Sequence, residues 1–481
     1  MALLTVSGRV QTGDTGFDYG IRDIEVVSGP GGIGVFASSG SYGGMTGYKL
    51  GAEGRLSFAD RVAFSPTDGA GLSVDMSVLE TNLGPSLMVT GTGTAVLMTY
   101  DISGTGQIGS ARSLSGIDAG IGTLGTAMQM NDVIMVANCW DAGFSAYGRV
   151  DDLRLSEIET VTDTGISYGM GVRDMVALTV AGQDYVVTAA QGITTSGGWS
   201  AAETGVSAYR VTGSGVQLCD NIGTTDGTGL MIPTDMDVIT LGGQSFVLLT
   251  TASGASGALS VLTVAPGGGI NLVDHVGDTL DTRFGAAQAV SGLAVEDRAY
   301  VAVGGGDEGV SLFTLMPNGR LVLLDTLADT AATGLSGITA LKLEASGGRV
   351  HIFAASSSDA GLTHLSYDIS TVGDTRIAIE SGDTVLGTAQ DDMLIGQGGY
   401  DRLVGGAGDD ILADGAGQDV LEGGQGRDTF VLEADDSLDR ILDFNPNEDR
   451  LDLSSWFRFY DAEALGIARI TGGVRLSWGD E

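Results

Sequence analysis

The sequence predicts an all-β chain in two unlike parts: a β-propeller of about seven four-stranded blades, then a parallel β-roll of nine-residue repeats. Three observations carry this. Glycine is abundant, 79 of 481 residues, too many for helical bundles and normal for turn-rich β repeats. Through residues 1–370 a unit of four short apolar runs recurs with a period of roughly 50. From Ala378 onward the period falls to nine. The expected organisation is a blade domain at 1–370 and a roll domain at 371–481, with repeats at 378–431 and a capping segment after them.

The blade unit is clearest in its middle copies. One reads Asp174-Met-Val-Ala-Leu-Thr-Val, Tyr185-Val-Val-Thr-Ala-Ala, Gly205-Val-Ser-Ala-Tyr-Arg-Val and Val216-Gln-Leu-Cys. The next reads Met236-Asp-Val-Ile-Thr-Leu, Phe246-Val-Leu-Leu-Thr, Gly257-Ala-Leu-Ser-Val-Leu and Ile270-Asn-Leu-Val. Further copies begin near Ile24, Met76, Met128, Leu293 and Ile338. Such short runs, rich in β-branched residues and bounded by Gly, Ser, Thr and Asp, read as strands. An open solenoid or two sandwiches are the alternative arrangements. The last copy lacks a fourth strand after Leu365, and Ala2-Leu-Leu-Thr-Val6 is an orphan strand before the first. Pairing the two removes both anomalies and leaves no open seam. Ser370–Ile379 reads as a short linker, and Trp456–Glu481 as a short helix around Ala462–Ala468 followed by a hairpin.

The nine-residue repeats carry the chemistry. Gly405-Gly-Ala-Gly-Asp-Asp-Ile-Leu-Ala413 and Gly423-Gly-Gln-Gly-Arg-Asp-Thr-Phe-Val431 fit G-G-x-G-x-D-x-U-x throughout. Gly396–Val404 and Asp414–Glu422 each lose one glycine, Gly387–Ile395 loses two, and Ala378–Leu386 keeps little but its aspartate. Asp383, Asp392, Asp401, Asp410, Asp419 and Asp428 nonetheless fall in register without a slip. A disordered Gly/Asp-rich linker would not keep an apolar residue two places after each. Gly396, Gly399, Gly405, Gly406, Gly408, Gly415, Gly417, Gly423, Gly424 and Gly426 free the turns to adopt positive φ and point carbonyls inward. A carboxylate and several carbonyls per loop make a hard-oxygen set, and Ca2+ takes six to eight such ligands, more than one loop supplies. Two repeats per coil would stack Asp383 on Asp401, Asp392 on Asp410, Asp401 on Asp419 and Asp410 on Asp428, with ions between. Val385, Leu394, Leu403, Leu412, Leu421 and Phe430 would form a thin core.

This stretch resembles the RTX (repeats-in-toxin) family of calcium-binding exported bacterial proteins. Asp439-Arg-Ile-Leu-Asp-Phe and Asp449-Arg-Leu-Asp-Leu-Ser454 resemble the segment that follows such repeats in serralysin-type proteases and related lipases. The resemblance covers about the last hundred residues. It implies calcium as cofactor, the type I secretion machinery as a partner, and an extracellular destination. The N-terminus, Met1-Ala-Leu-Leu-Thr-Val-Ser, has no basic region followed by a long apolar run, so a Sec-type signal is not expected. No apolar run approaches the roughly 20 residues of a membrane span.

Charge narrows the partners further. With 61 Asp+Glu against 23 Lys+Arg, the net charge is -38, which repels nucleic acid and anionic membranes. Cys139 and Cys219 are expected as free thiols in buried strands of different blades.

Motifs that look catalytic are weak. Gly165-Ile-Ser-Tyr-Gly169 matches a nucleophile elbow, but the equivalent stretch of the first blade, Gly16-Phe-Asp-Tyr-Gly20, has Asp18 where Ser167 stands, and no strand-to-helix turn is expected there. Gly29-Pro-Gly-Gly-Ile-Gly34 precedes a strand and not a helix. His275, His351 and His364 are too scattered for a zinc site, and the last two read as packing residues of one blade. Asp23, Asp75, Asp174 and Asp235 start the first strand of four blades, as a carboxylate ring or as copied scaffold positions, and the copied scaffold is the favoured reading. No catalytic residue is assigned. The expected role of the propeller is to bind an extracellular ligand or surface; the alternative is a secreted hydrolase with its site in the propeller channel.

Overall fold

The computed structural model describes residues 3–477 other than 30, 40–42, 65–73, 92–95, 118–123, 139–142, 163–167, 170, 194–198, 331, 380–381, 457–464 and 472. The chain divides into two compact units, one spanning Leu4–Tyr367 and the other Asp368–Glu481 with Met1–Leu3.

The first unit is a seven-bladed propeller, each blade a four-stranded antiparallel sheet. Blade five shows the plan: Ile232–Leu241, Gln244–Ser253, Ser256–Val264 and Ile270–Gly277. The first strands of successive blades are neighbours around a closed ring, and the seventh returns to the first. The hydropathy of each strand follows from its place. Middle strands are covered on both faces by neighbouring blades, so Arg298–Gly304 and Gly309–Leu315 of blade six are buried throughout. The outermost strand of blade one, Leu56–Ala63, has no buried residue and mixes half-buried with exposed positions. Apolar clusters fill the gaps between blades, as Phe36, Met76 and Leu87 do between the first and second.

Closure follows the reading of the orphan strand. Thr5–Val10 pairs antiparallel with Leu362–Asp368 and becomes the fourth strand of blade seven, with Val6 opposite Leu365. The pairing begins later than Ala2–Val6, and Ala2 lies outside the described residues.

Outer strands carry a recurring device that joins blades. In five of them one extra residue forms a β-bulge, and an acidic residue follows it: Glu159, Asp60, Asp220, Asp274 and Asp325. A bulge re-aims the next side chain. Asp274 accepts His275 N–H at 2.8 Å and reaches across to Leu321 N–H of blade six at 2.7 Å. Asp60 takes Ile108 N–H of blade two, Asp220 takes Ile270 N–H of blade five, and Glu159 takes Val216 N–H of blade four. Asp325 takes Leu4 N–H at 2.6 Å, which ties the N-terminal strand to blade six. Cys219 is itself a bulge residue. It is therefore a free, half-buried thiol and not the core thiol expected; Cys139 lies outside the described residues.

The second unit is a parallel β-solenoid. One sheet orders Val372–Ile377, Asp391–Ile395, Ile411–Ala413, Thr429–Val431 and Arg450–Asp452; the other orders Thr384–Leu386, Arg402–Ala407, Val420–Gln425 and Arg440–Ile441. Partners such as Leu394 and Leu412, or Leu403 and Leu421, lie one coil apart. Val385, Leu394, Leu403, Leu412, Leu421 and Phe430 form the thin core, extended by Ala378, Ile441 and Leu451.

Two expectations fail here. The supposed linker contains Val372–Ile377, which pairs with Asp391–Ile395 as the first strand of the stack. The helix expected around Ala462–Ala468 is not formed where the chain is described. Gly466–Ile470 is a strand, paired in a hairpin with Gly473–Ser477, and cross-strand pairing there outweighs the helix-forming alanines just before it.

Candidate metal centre

Stacking of coils places each repeat aspartate over its predecessor. Asp392 N–H donates to Asp410 Oδ1 at 2.8 Å, Asp401 N–H to Asp419 Oδ1 at 2.6 Å, and Asp410 N–H to Asp428 Oδ1 at 3.0 Å. Asp383 N–H donates to Asp401 Oδ1 at 2.9 Å. The four expected stacking pairs are thus all brought together. One carboxylate oxygen of each upper residue is consumed by the backbone one coil below. Side chains of Asp392, Asp401, Asp410, Asp419 and Asp428 are buried, and Asp383 is half-buried.

The second oxygen, Oδ2, has two different fates. In the early loops it is closed by the loop's own second residue: Ile379 N–H donates to Asp383 Oδ2 at 2.7 Å, Thr388 N–H to Asp392 Oδ2 at 2.5 Å, and Gln397 N–H to Asp401 Oδ2 at 3.3 Å. In the later loops the second residue is glycine at positive φ, +116° at Gly406, +81° at Gly415 and +107° at Gly424. Its N–H no longer faces the aspartate. Asp410 Oδ2 and Asp419 Oδ2 are buried without a hydrogen-bond partner in the protein.

The remaining glycines are demanded by the closeness of the stack. A Cβ on Gly405 would collide with Asp410 Oδ2 and the Gly423 carbonyl oxygen, and one on Gly423 with Asp428 Oδ2. A Cβ on Gly408, Gly417 or Gly426 would strike the carbonyl of the loop one coil below, and one on Gly396 the Asp414 carbonyl. Gly399 keeps the same positive φ, +112°. Carbonyl and carboxylate oxygens therefore crowd the spaces beside these loops.

Electrostatics marks the later loops as strained without a cation. Burial pushes the Asp410 carboxyl up to about 7, and Asp428 and Asp392 add like charge. Burial raises Asp428 to about 6, helped by Asp449 and Asp443, and raises Asp419 with help from Asp401 and Asp435. Unpaired buried carboxylates are unfavourable, and a divalent cation removes that cost. Calcium fits this donor set on the orphaned buried oxygens alone. Among the described residues no three His, Cys, Asp or Glu side chains converge on one point, so carbonyl oxygens would supply most ligands, as calcium tolerates.

Several acidic residues escaped the nine-residue register. Asp419 N–H donates to Asp439 Oδ1 at 2.9 Å, and Asp428 N–H to Asp449 Oδ1 at 3.0 Å. Asp443 accepts Gly423 and Gly424 N–H at 3.0 and 2.8 Å. The ladder thus continues through the capping segment at spacings of 20 and 21 residues. The signal was the Asp-Arg-Ile and Asp-Arg-Leu pair, each placing an apolar residue two positions after an aspartate. Asp414 replaces a loop glycine and accepts Glu433 N–H at 2.9 Å; burial raises its carboxyl to about 8.

The other motifs resolve as scaffold. Asp23 accepts Ile24 N–H and then Met76 N–H of blade two at 2.6 Å; Asp174 accepts Met175 N–H and Met236 N–H of blade five; Asp235 accepts Val290 N–H of blade six. The copied carboxylates join first strands across blades. Burial lifts Asp75 and Asp235 well above the usual carboxylate range, and Asp235 hydrogen-bonds to Asp174. Lys342 Nζ lies 3.1 Å from Glu25 Oε2. Desolvation works against this ammonium but is outweighed by Glu25, Asp237 and Asp23, so its pKa rises. His351 Nδ1 and His364 Nε2 meet at 2.9 Å inside blade seven, both buried. His275 Nδ1 pairs with the fully buried Ser260 Oγ at 2.8 Å, in the cross-strand place that Ser311 and Thr326 hold in blade six. Ser167 lies outside the described residues.

Comparison with known proteins agrees with the roll. The family model for the RTX calcium-binding nonapeptide repeat matches residues 379–412, 396–430 and 404–437. No curated protein matches the chain. Solved structures with some likeness include a functionally unknown protein from Desulfotomaculum acetoxidans, 12% identical, covering 70% of this chain and 90% of its own, with a TM-score of 0.44. A candidate 6-phosphogluconolactonase from Bacteroides uniformis is 13% identical, covering 68% and 96%, with a TM-score of 0.46. No helix among the described residues is long and apolar enough to cross a membrane. The chain carries RTX calcium-binding nonapeptide repeats, folded as a β-solenoid, together with a seven-bladed propeller.

Proposed function

We propose that this is a secreted bacterial calcium-binding protein whose roll folds on meeting extracellular Ca2+, and whose propeller binds a ligand or surface outside the cell. The observation that carries the reading is the pair of buried, unpartnered oxygens, Asp410 Oδ2 and Asp419 Oδ2, in loops crowded with carbonyl oxygens. When bound, calcium supplies positive charge that neutralises stacked carboxylates and takes up their free oxygens. Asp410, Asp419 and Asp428 would each give it one oxygen, with carbonyls of glycine-rich loops such as Gly405 and Gly423 beside them.

Without the ion two forces oppose the roll. Unit charges about 4 Å apart repel by about 4 kcal/mol at an effective dielectric of about 20. Glycine-rich loops also lose more chain entropy on ordering than others. A core of one large side chain per repeat offsets little of this, so binding free energy becomes folding free energy. In cytosol, where calcium is scarce, the loops that depend on the ion stay extended, which suits passage through the type I secretion machinery. Outside, at roughly millimolar calcium, it folds; extracellular modules bind in that range.

The propeller reading rests on its chemistry. Asp23 and Asp174 at blade starts are spent on joining blades, and Ser260 is shut inside blade five, so a binding role is favoured over hydrolysis. The test is circular dichroism of the full chain during a calcium titration, paired with export from cells carrying a type I exporter. A gain of β signal reversed by chelator, and export lost on removing residues 432–481, are expected. A spectrum indifferent to calcium would overturn the reading.

A further inference from the structure

The six repeat aspartates are not equivalent, and the residue that divides them is the second of each loop. We propose that only the last three loops, those of Asp410, Asp419 and Asp428, hold calcium, and that the loops of Asp383, Asp392 and Asp401 are closed by their own backbone and fold without it. This rests on the calcium reading above and assigns which loops serve it.

The division follows from φ. Ile379, Thr388 and Gln397 occupy the second position of the first three loops. At ordinary negative φ each turns its N–H onto Oδ2 of the aspartate four residues on, at 2.7, 2.5 and 3.3 Å. Thr388 adds its hydroxyl to both Asp392 oxygens, at 3.1 and 2.9 Å. With Oδ1 taking Asp374 N–H at 2.7 Å, the Asp392 carboxylate is saturated by protein donors. Displacing such charge-assisted bonds costs an incoming ion much of what it gains. Gly406, Gly415 and Gly424 instead take positive φ, which a β-carbon resists, and rotate the peptide away. The consequence shows in Asp410 and Asp419, whose side chains are 0% and 1% exposed and whose Oδ2 atoms have no partner. Asp449, in the capping segment, is closed like the early loops, by Asn445 N–H at 2.7 Å. Ion-holding loops would thus lie between a self-closed base and a self-closed cap.

The roll then folds in a set order. The self-closed base, from Val372 to about Arg402, needs no ion and offers a finished template edge. Each calcium then adds one loop on top of it.

The experiment uses the full chain and measures calcium stoichiometry by equilibrium dialysis and affinity by calorimetry. Wild type is expected to bind about three ions in this set. Asp410→Asn, Asp419→Asn and Asp428→Asn should each lose one ion or weaken binding at least about tenfold. Asp383→Asn and Asp392→Asn should leave both measures within about twofold. Gln397→Gly should open Asp401 and add one ion, an outcome that no misfolded variant would mimic. Equal losses from Asp392→Asn and Asp410→Asn, or no gain from Gln397→Gly, would overturn the division while leaving calcium binding intact. A wild-type chain that binds no calcium would overturn both.

Discussion

The propeller and the roll use the same side chain for opposite ends. In the propeller an aspartate spends both oxygens on backbone N–H groups: Asp174 gives one to Met175 and the other to Met236 of the next blade. In the later coils of the roll an aspartate spends one oxygen on the stack, and the other is left buried and empty-handed, as in Asp410. The first arrangement completes a fold by itself. The second is a fold left one ligand short. The difference lies in the backbone beside the carboxylate: a bulge that aims it at a neighbouring blade, or a glycine that turns the nearest donor away.

Three changes would break or sharpen this contrast within the propeller, where no ion should matter. The largest effect is expected from deleting residues 1–10. This strips blade seven of its outer strand and Asp325 of Leu4 N–H. The propeller's melting temperature should fall by at least about 5 °C, since a lost strand removes several kcal/mol. An unchanged melt by differential scanning calorimetry would refute closure by this strand.

The second is a pH effect. Burial, and then His351 beside it, lowers the His364 pKa to about 4 from 6.5. His351 is lowered too, by burial first, with Ser346 opposing and Arg349 adding positive charge; Glu344 stands opposite it across the strand pair. The unfolded chain binds a proton on His364 that the folded chain refuses. Stability should therefore fall as pH drops from about 6.5 to about 4, by on the order of 3 kcal/mol. Raised carboxyls such as Asp23 act in the opposite sense over similar pH. The informative quantity is thus the difference between wild type and His364→Asn, measured by denaturant unfolding. A difference that does not change with pH would refute the buried-pair account.

A smaller effect is expected from Asp274→Ala, which frees His275 and Leu321 N–H. A loss of about 2 kcal/mol, indifferent to calcium, is expected for two charge-assisted bonds at a partly exposed site. A calcium-dependent loss would show that the acidic residues of the two regions are not so distinct.

How much of this could be read from the residues varied with register. Blades were legible because their apolar runs repeat, and closure because Leu365 had no following strand. The roll was legible because Asp383 through Asp428 never slip. The capping ladder was not, because insertions of two and three residues displace Asp439 and Asp449 from the count of nine. Val372–Ile377 looked like a linker because strand pairing to Asp391–Ile395 leaves no aspartate signature before it. Bulges at Ala59, Val273 and Leu324 were invisible, since one extra residue in an outer strand looks like ordinary drift between repeats. The split between closed and open carboxylates was printed in the sequence as Ile379, Thr388 and Gln397 against Gly406, Gly415 and Gly424. It acquires meaning only once each N–H has a direction.

The most direct measurement is hydrogen exchange of the full chain, followed by mass spectrometry, in millimolar calcium and in excess chelator. Amides of Arg402–Val431 should exchange at least about a hundredfold faster in chelator, while those of Arg298–Leu315 in blade six keep the same protection. Equal protection of Arg402–Val431 in both conditions would contradict a roll that calcium completes.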